Sequence, residues 1–263
     1  MNKIILWIRI LQKLGISVCL RLIYNKLFFN KINNYEILKK LFQNKNGIEI
    51  GGPTNFFKKT GVIPIYNIVA SLDTVNPSNQ TIWEGDIQKG FNFVYDDRKS
   101  PGYQYILDGI SLQKIHSEKY DFLLSCNVLE HIANPFKAIS EWKRIVKKGG
   151  VLLLILPRKE SNFDHKRKIT SFKHLVNDYK NDMDESDLTH LPEIIKDHDL
   201  SLDPAAGSKE QFIIRSKNNY ENRSLHHHVF DMDLLIKIYN YFSIKIIAHE
   251  TLVSDYILVG KKS

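Results

Sequence analysis

The chain has 263 residues, of which 43% are hydrophobic, 25% charged and 11% aromatic. That is enough apolar side chain to bury one sizeable core with a smaller layer appended, and it excludes a disordered polymer. The formal net charge of +8 suits an anionic partner, whether nucleic acid, a phosphorylated metabolite or an anionic membrane surface, and selects none of them. A Lys-, Asn- and Ile-rich chain encoded by an AT-rich genome would carry the same balance.

Two cysteines, Cys19 and Cys126, stand far apart outside any C-x-x-C spacing. They exclude a disulfide framework and a zinc ribbon and point to a reducing cytoplasm. The first 29 residues, MNKIILWIRILQKLGISVCLRLIYNKLFF, are interrupted by Arg9, Lys13, Arg21 and Lys26. No uncharged run there reaches the roughly 18 residues of a spanning helix, and no small-residue cleavage site follows. Residues 3 to about 44 show apolar positions at i, i+3, i+4 and i+7, broken near Gly15 and Asn33–Asn34, which reads as helices packing on a core. Their basic, amphipathic character also fits peripheral contact with an inner membrane surface, with Trp7, Phe28 and Phe29 as interfacial anchors.

Strands follow at 47–50, near 68–72, at 121–126 and at 150–156, with a turn at 51–54 and a helix at 134–147. Continuous apolar runs such as VLLLIL between helical segments predict a parallel sheet covered on both faces, a doubly wound α/β core. From Arg158 to about His228 the sequence turns polar and histidine-rich, helical at 171–180 and 209–223. DLLIKIYNYF then reads as a helix, and SIKIIAHE and DYILVGKK as a closing antiparallel hairpin. The division expected is 1–44, an N-terminal helical segment; 45–157, the core; 158–232, an insertion; and 233–263, the C-terminal part of the core.

Residues 46–57 read NGIEIGGPTNFF. A glycine pair directly after a strand lets a ligand approach the backbone without a Cβ in the way, although a tight turn uses glycine too. The segment YDFLLSCNVLEHIANPFKAISEWKRIVKKGGVLLLILPRK adds a strand, a polar turn, an amphipathic helix, a KKGG stop and another strand. Over about 40 residues it resembles class I S-adenosylmethionine-dependent methyltransferases, through SCNVLEHI, EWKRIVKKGG and LLLILP. The resemblance implies a Rossmann-like, seven-stranded, mostly parallel sheet and S-adenosylmethionine as cofactor.

It puts Glu49, Gly51, Gly52 and Pro53 around the cofactor's amino-acid part, although Pro53 and Thr54 stand where another glycine is usual. Asp73, in IVASLDTVNP, matches the acid that holds both ribose hydroxyls. Asp108 and Gly109 match the adenine contact, with Asp86 and Asp96 as rivals. Asn127, Glu130 and His131 fall beside the cofactor. Each acid has an ordinary alternative as a turn residue or helix cap.

Methyl transfer from a sulfonium is an in-line displacement, so the protein must align the reactants and exclude water. A hydroxyl acceptor also needs a base. In NFDHKRKITSFKHL, His165 is a candidate base beside Asp164, and Lys166 and Arg167 suit an anionic acceptor. In ENRSLHHHVFD, extended backbone would put His226 and His228 on one side and His227 on the other, ahead of Asp231. His227 and His228 are further base candidates and His226 an acceptor contact. A divalent metal on this cluster, completed by His165, His190 or His198, is the less favoured use. Structural hydrogen bonding is the ordinary one.

EIGGPTNFF, LEHIANPFKAISEWKR, FDHKR and LHHHVFD together resemble a bacterial subgroup associated with surface-polysaccharide modification. The sequence therefore reads as a cytoplasmic O-methyltransferase for a small polar, anionic acceptor: a sugar, a sugar nucleotide or a phosphate-type group. Nucleic acid is disfavoured as a partner because SCNVLEH replaces the N-P-P-Y or D-P-P-Y turn, though an RNA hydroxyl stays open. A nicotinamide-dependent dehydrogenase would show G-x-G-x-x-G. An inactive, partner- or membrane-binding relative is the non-enzymatic alternative.

Overall fold

The computed structural model describes residues 31–81 and 85–263. The amphipathic stretch with Trp7, Phe28 and Phe29 lies outside them. The first described helix, α1 (Tyr35–Phe42), starts after Asn34. The strands are β1 (Asn46–Ile50), β2 (Ser71–Asn76), β3 (Gln80–Thr81), β4 (Gly85–Asp86), β5 (Gly90–Phe93), β6 (Gly102–Ile106), β7 (Tyr120–Cys126), β8 (Val146–Pro157), β9 (Ile244–Thr251) and β10 (Asp255–Lys262). Eight form one sheet in the order β5-β6-β2-β1-β7-β8-β10-β9, and β3 and β4 form a separate ribbon.

The pairs β1–β2, β2–β6, β1–β7 and β7–β8 are parallel. The C-terminal hairpin is antiparallel, β10 to β8 and β9 to β10. This is the expected α/β sheet. Its eighth strand, β5, is an antiparallel edge that the sequence reading omitted, because GFNF is short and half exposed.

Both faces are covered. On one, Ile48, Leu123, Leu152 and Leu154 pack with Phe136, Ile139 and Trp142 of α2 (Pro135–Ile145) and Leu235 and Ile238 of α7 (Met232–Tyr241). On the other, Phe122, Leu124, Leu153 and Ile155 pack with Leu38 and Phe42 of α1 and with Phe57 and Tyr66. Alternate residues of β7 and β8 thus serve opposite faces, as strand geometry requires, and each fully buried Leu, Ile or Phe contributes about 1.5–3 kcal/mol. Asn134 caps α2, its side chain accepting from the Lys137 amide, and Pro135 sits at the first turn, where a missing N–H costs nothing.

One departure from the sequence reading bears on the site. The second strand runs from Ser71 to Asn76 rather than near 68–72, because Val69 belongs to the loop packed beneath α1 and the core. The turn expected at 51–54 continues into a single 3-10 turn, Asn55–Phe57.

Between β8 and α7 the chain forms α3 (Phe172–Lys180), α4 (Leu191–Asp197), α5 (Lys209–Lys217) and α6 (Asn219–Asn222). Ile194, Ala206, Phe212 and Leu225 make a small apolar centre there. Among the described residues no helix is long and apolar enough to cross a membrane.

Candidate functional site

From β1 the chain steps outward to β2 and β6, then returns to lay β7 on the other side of β1. Strand order therefore reverses between β1 and β7, and in open α/β sheets the crevice at the carboxyl ends of such strands binds ligands. A cleft of about 310 Å³ opens there, at the small end of small-molecule pockets. Its walls are Gly51 and Pro53 after β1, Val75 and Pro77 at the end of β2, Asp108 and Gly109 after β6, and Asn127, Val128 and His131 after β7.

The glycine pair has two distinct reasons. Gly51 has φ +79°, and a Cβ on it would stand 2.7 Å from the Val128 side chain. A Cβ on Gly52 would stand 2.3 Å from the Glu49 carboxylate. Gly51 keeps the cleft wall open; Gly52 makes room for the acid beneath it. Glu49 is buried and accepts from the Tyr66 hydroxyl at 2.6 Å, while that hydroxyl accepts from the Thr54 amide at 2.7 Å. Burial, and then Glu49, push the Tyr66 phenol above its ordinary pKa, so it stays a donor. Glu49 thus holds the turn from below and does not line the cleft.

Asp108 and Gly109 are at the cleft. The Asp108 side chain accepts from the Ile110 amide at 3.1 Å and pairs with Arg223 at 3.0 Å. The Gly109 carbonyl accepts from Trp142 Nε1 at 2.9 Å, which ties the turn to α2. Asn127, with φ 53°, turns the chain out of β7. The rivals lie elsewhere: Asp86 is exposed on the ribbon and Asp96 pairs with Arg98 at 2.7 Å.

Asp73 is not at the cleft. It is the third residue of β2, and its carboxylate accepts from the Tyr103 amide at 2.8 Å and the Tyr120 hydroxyl at 2.6 Å. The shift of β2 along the sequence explains the displacement. The last residue of that strand is Asn76, which is buried and donates to the Gly52 carbonyl at 3.4 Å.

Glu130 is buried behind the wall, in a small space shared with Asp164, His226 and His228. Neither carboxylate oxygen accepts a hydrogen bond, and burial raises its pKa to about 7. His131 does line the cleft. Its Nδ1 lies 3.0 Å from the Leu225 carbonyl. A carbonyl only accepts, so Nδ1 carries the proton and Nε2 the lone pair. Burial, then His226, holds this ring well below the ordinary imidazole pKa.

None of His165, His227 and His228 lines the cleft. His165 pairs with Asp199 at 3.0 Å, and Lys166, half exposed, stands 3.8 Å from the same carboxylate. Arg167 is no surface clamp. It is buried, with Nη1 donating to Asp164 at 2.9 Å and to the His226 carbonyl at 2.7 Å, and Nη2 to the His227 carbonyl at 3.1 Å.

The His226 ring contacts Asp164 at 2.5 Å; burial opposes its charge, but Asp164 outweighs burial and raises its pKa. His227 is fully buried between Asn219 at 2.9 Å and Glu185 at 3.3 Å. His228 turns toward the Ala133 carbonyl at 3.0 Å. Asp231 caps α7 by accepting from the Leu234 amide at 2.8 Å.

The acidic stretch DESDLTHLPEIIKDHDLSLDP suits either an acceptor lining or a solvated lid, and sequence alone singles out neither its Glu185 nor Arg223, which both reach the cleft from the insertion. Arg223 bridges Asp108 and Glu185, 3.4 Å from the latter, and Glu185 accepts from the Ala133 amide at 3.1 Å. No periodicity or local motif joins these positions.

Residues 85–154 match the methyltransferase domain family. The core carries a methyltransferase domain. The matched segment runs from β4 into β8 and takes in Asp108, Asn127 and the Glu130–His131 turn, while the glycine pair lies before it. No curated protein matches the chain.

Among solved structures it is similar to the CurJ carbon methyltransferase, at 13% identity and TM-score 0.46 over 84% of this chain. It spans 49% of that protein's length. A SAM-dependent methyltransferase from Methanosarcina mazei is 13% identical over 87% of this chain and 97% of its own, with TM-score 0.45. The N-methyltransferase NodS from Bradyrhizobium japonicum is 12% identical over 88% and 98%, with TM-score 0.45. The carbon and nitrogen acceptors in those names belong to those proteins.

Proposed function

We propose that the cleft binds S-adenosylmethionine and that the methyltransferase domain moves a methyl group to a small polar acceptor. The observation that carries this is the cleft at the reversal of strand order, open to backbone at Gly51 and charged by Asp108, Glu185 and Arg223. Two carboxylates against one guanidinium leave an acidic lining. That suits a cofactor whose sulfonium and ammonium outnumber its one carboxylate.

Bound there, the cofactor would supply an electrophilic methyl group. Gly51, Pro53 and Asn127 would flank its amino-acid part, and Asp108 with Gly109 its adenine. Val75 and Pro77 offer only apolar wall where the resemblance calls for a ribose-binding acid, so Asp73 is withdrawn from that role. His131 is the only histidine lining the cleft among the described residues, and its unprotonated Nε2 makes it the candidate base for a hydroxyl acceptor.

Of the two features that favour an anionic acceptor, the net charge of +8 stands, whereas Lys166 and Arg167 pair with Asp199 and Asp164. A neutral polar acceptor fits the acidic lining better. A surface-glycan acceptor keeps only the support of the sequence motifs.

Calorimetric titration with S-adenosylmethionine and S-adenosylhomocysteine tests the reading. We expect micromolar binding of both, and Asp108→Ala to weaken it about 10- to 100-fold through the loss of a charged hydrogen-bond partner. No binding of either ligand overturns the proposal.

A further inference from the structure

We propose that His174, His190, His228 and Asp178 bind one divalent transition-metal ion, zinc by the chemistry of the ligands, away from the cleft. One ring nitrogen from each histidine lies within 4.8 Å of the others. His174 Nε2 is 3.0 Å from His190 Nε2, and Asp178 Oδ2 is 3.3 Å from His174 Nε2 and 3.8 Å from His228 Nε2. A tetrahedral ion with ligand bonds of about 2.0–2.1 Å has ligand-to-ligand edges of about 3.3 Å, and the observed separations bracket that value.

The ligands come from three pieces of chain. His174 and Asp178 are one turn apart on α3 and share a face. His190 immediately precedes α4, and His228 lies on the extended segment leading to α7. The backbone carbonyl of Asp178 accepts from Asn134 Nδ2 at 3.1 Å, so the cluster is seated on the capping residue of α2.

Protons satisfy this cluster poorly. Two facing Nε2 atoms share at most one proton between them. Asp178 Oδ2, buried, still accepts no hydrogen bond. A single dication would satisfy three neutral imidazoles and one carboxylate at once. The Ala133 carbonyl, 3.0 Å from His228 Nε2, is the competing partner that the ion displaces. None of the four residues lines the cleft, so the ion's work is architectural: it pins α3, α4 and the extended segment together beside α2. The site goes beyond the methyltransferase reading, and its test needs no methyl transfer.

The test uses the full chain without an affinity tag, loaded with zinc and exchanged into metal-free buffer. We expect about one equivalent of zinc per chain, a lower Tm after chelation, and visible absorption typical of tetrahedral cobalt(II) after cobalt replacement. Asp178→Asn and His190→Asn should lose the equivalent, while His165→Ala, on a histidine outside the cluster, keeps it. Less than about a tenth of an equivalent in the loaded wild type overturns the proposal. So does full retention in both cluster variants, or loss in Glu130→Gln instead, which would assign the ion to Glu130, His131 and His226. Where His190→Asn fails to fold, the cobalt spectrum of the wild type decides between tetrahedral binding and none.

Discussion

The sheet and the insertion are held together by different physics. In the sheet, two apolar clusters cover the faces of β1, β7, β8 and β10, and the strand ends that build the cleft are fixed by non-directional burial. In the insertion, Leu175 and Phe230 join one of those clusters, and the insertion's own apolar centre is small: Ile194, Ala206, Phe212 and Leu225. Its frame is ionic: Arg167 with Asp164 and His226, His198 and Arg215 on Asp203, Arg223 between Asp108 and Glu185. A frame of that kind depends on protonation, and the sheet does not. The sheet side of the cleft should therefore withstand changes of pH and ions that loosen the insertion's side.

The largest test of this contrast is Arg167→Ala. Removing one member of a buried pair costs about 3–5 kcal/mol; here it leaves Asp164 with His226 alone and the His226 and His227 carbonyls without their donor. Chemical denaturation should show that loss, with proteolysis appearing first between residues 158 and 232. A loss under about 1 kcal/mol would erase the contrast.

Acid tests it next. Burial opposes the charge of Asp203, but His198 and Arg215 outweigh it and lower the pKa to about 2. A depressed carboxylate stabilises the fold above its unfolded pKa of about 3.9 and loses that contribution as pH falls toward the folded value. About 2 kcal/mol should disappear between about pH 5 and pH 2, and Asp203→Asn should flatten the stability profile across that window.

The smallest effect is on the sheet side. Asp73→Asn should cost about 1–2 kcal/mol through its contacts with Tyr103 and Tyr120, and leave S-adenosylmethionine affinity unchanged. A tenfold fall in affinity would return Asp73 to the site.

The same contrast governs what could be read from sequence. Burial leaves a periodic trace, so β1, β7, β8, α2, α7 and the hairpin were legible from runs such as VLLLIL and DLLIKIYNYF. So were the cleft residues that directly follow those strands: Gly51, Asn127 and His131. The trace misled at Ile68 and Val69, whose burial belongs to a loop, and this pulled Asp73 into a role that its place within β2 does not give it.

Ionic frames leave no such trace. FDHKR looks the same whether Arg167 faces solvent or, as here, lies 2% exposed beneath two backbone carbonyls. LHHHVFD gives three adjacent rings, and the fold sends them to three different sets of partners. Glu185 and Arg223 are 38 positions apart, and their meeting over Asp108 depends on the whole path of the insertion.

Glu185 accepts from the Ala133 amide just ahead of α2, pairs with Arg223 and touches His227. One side chain from the middle of the insertion thus stitches the loop after β7 to the insertion's C-terminal stretch. Anyone exchanging the region between β8 and α7 to redirect acceptor choice would have to transplant the receiving turn at Ala133 with it, because the insertion is not a cassette.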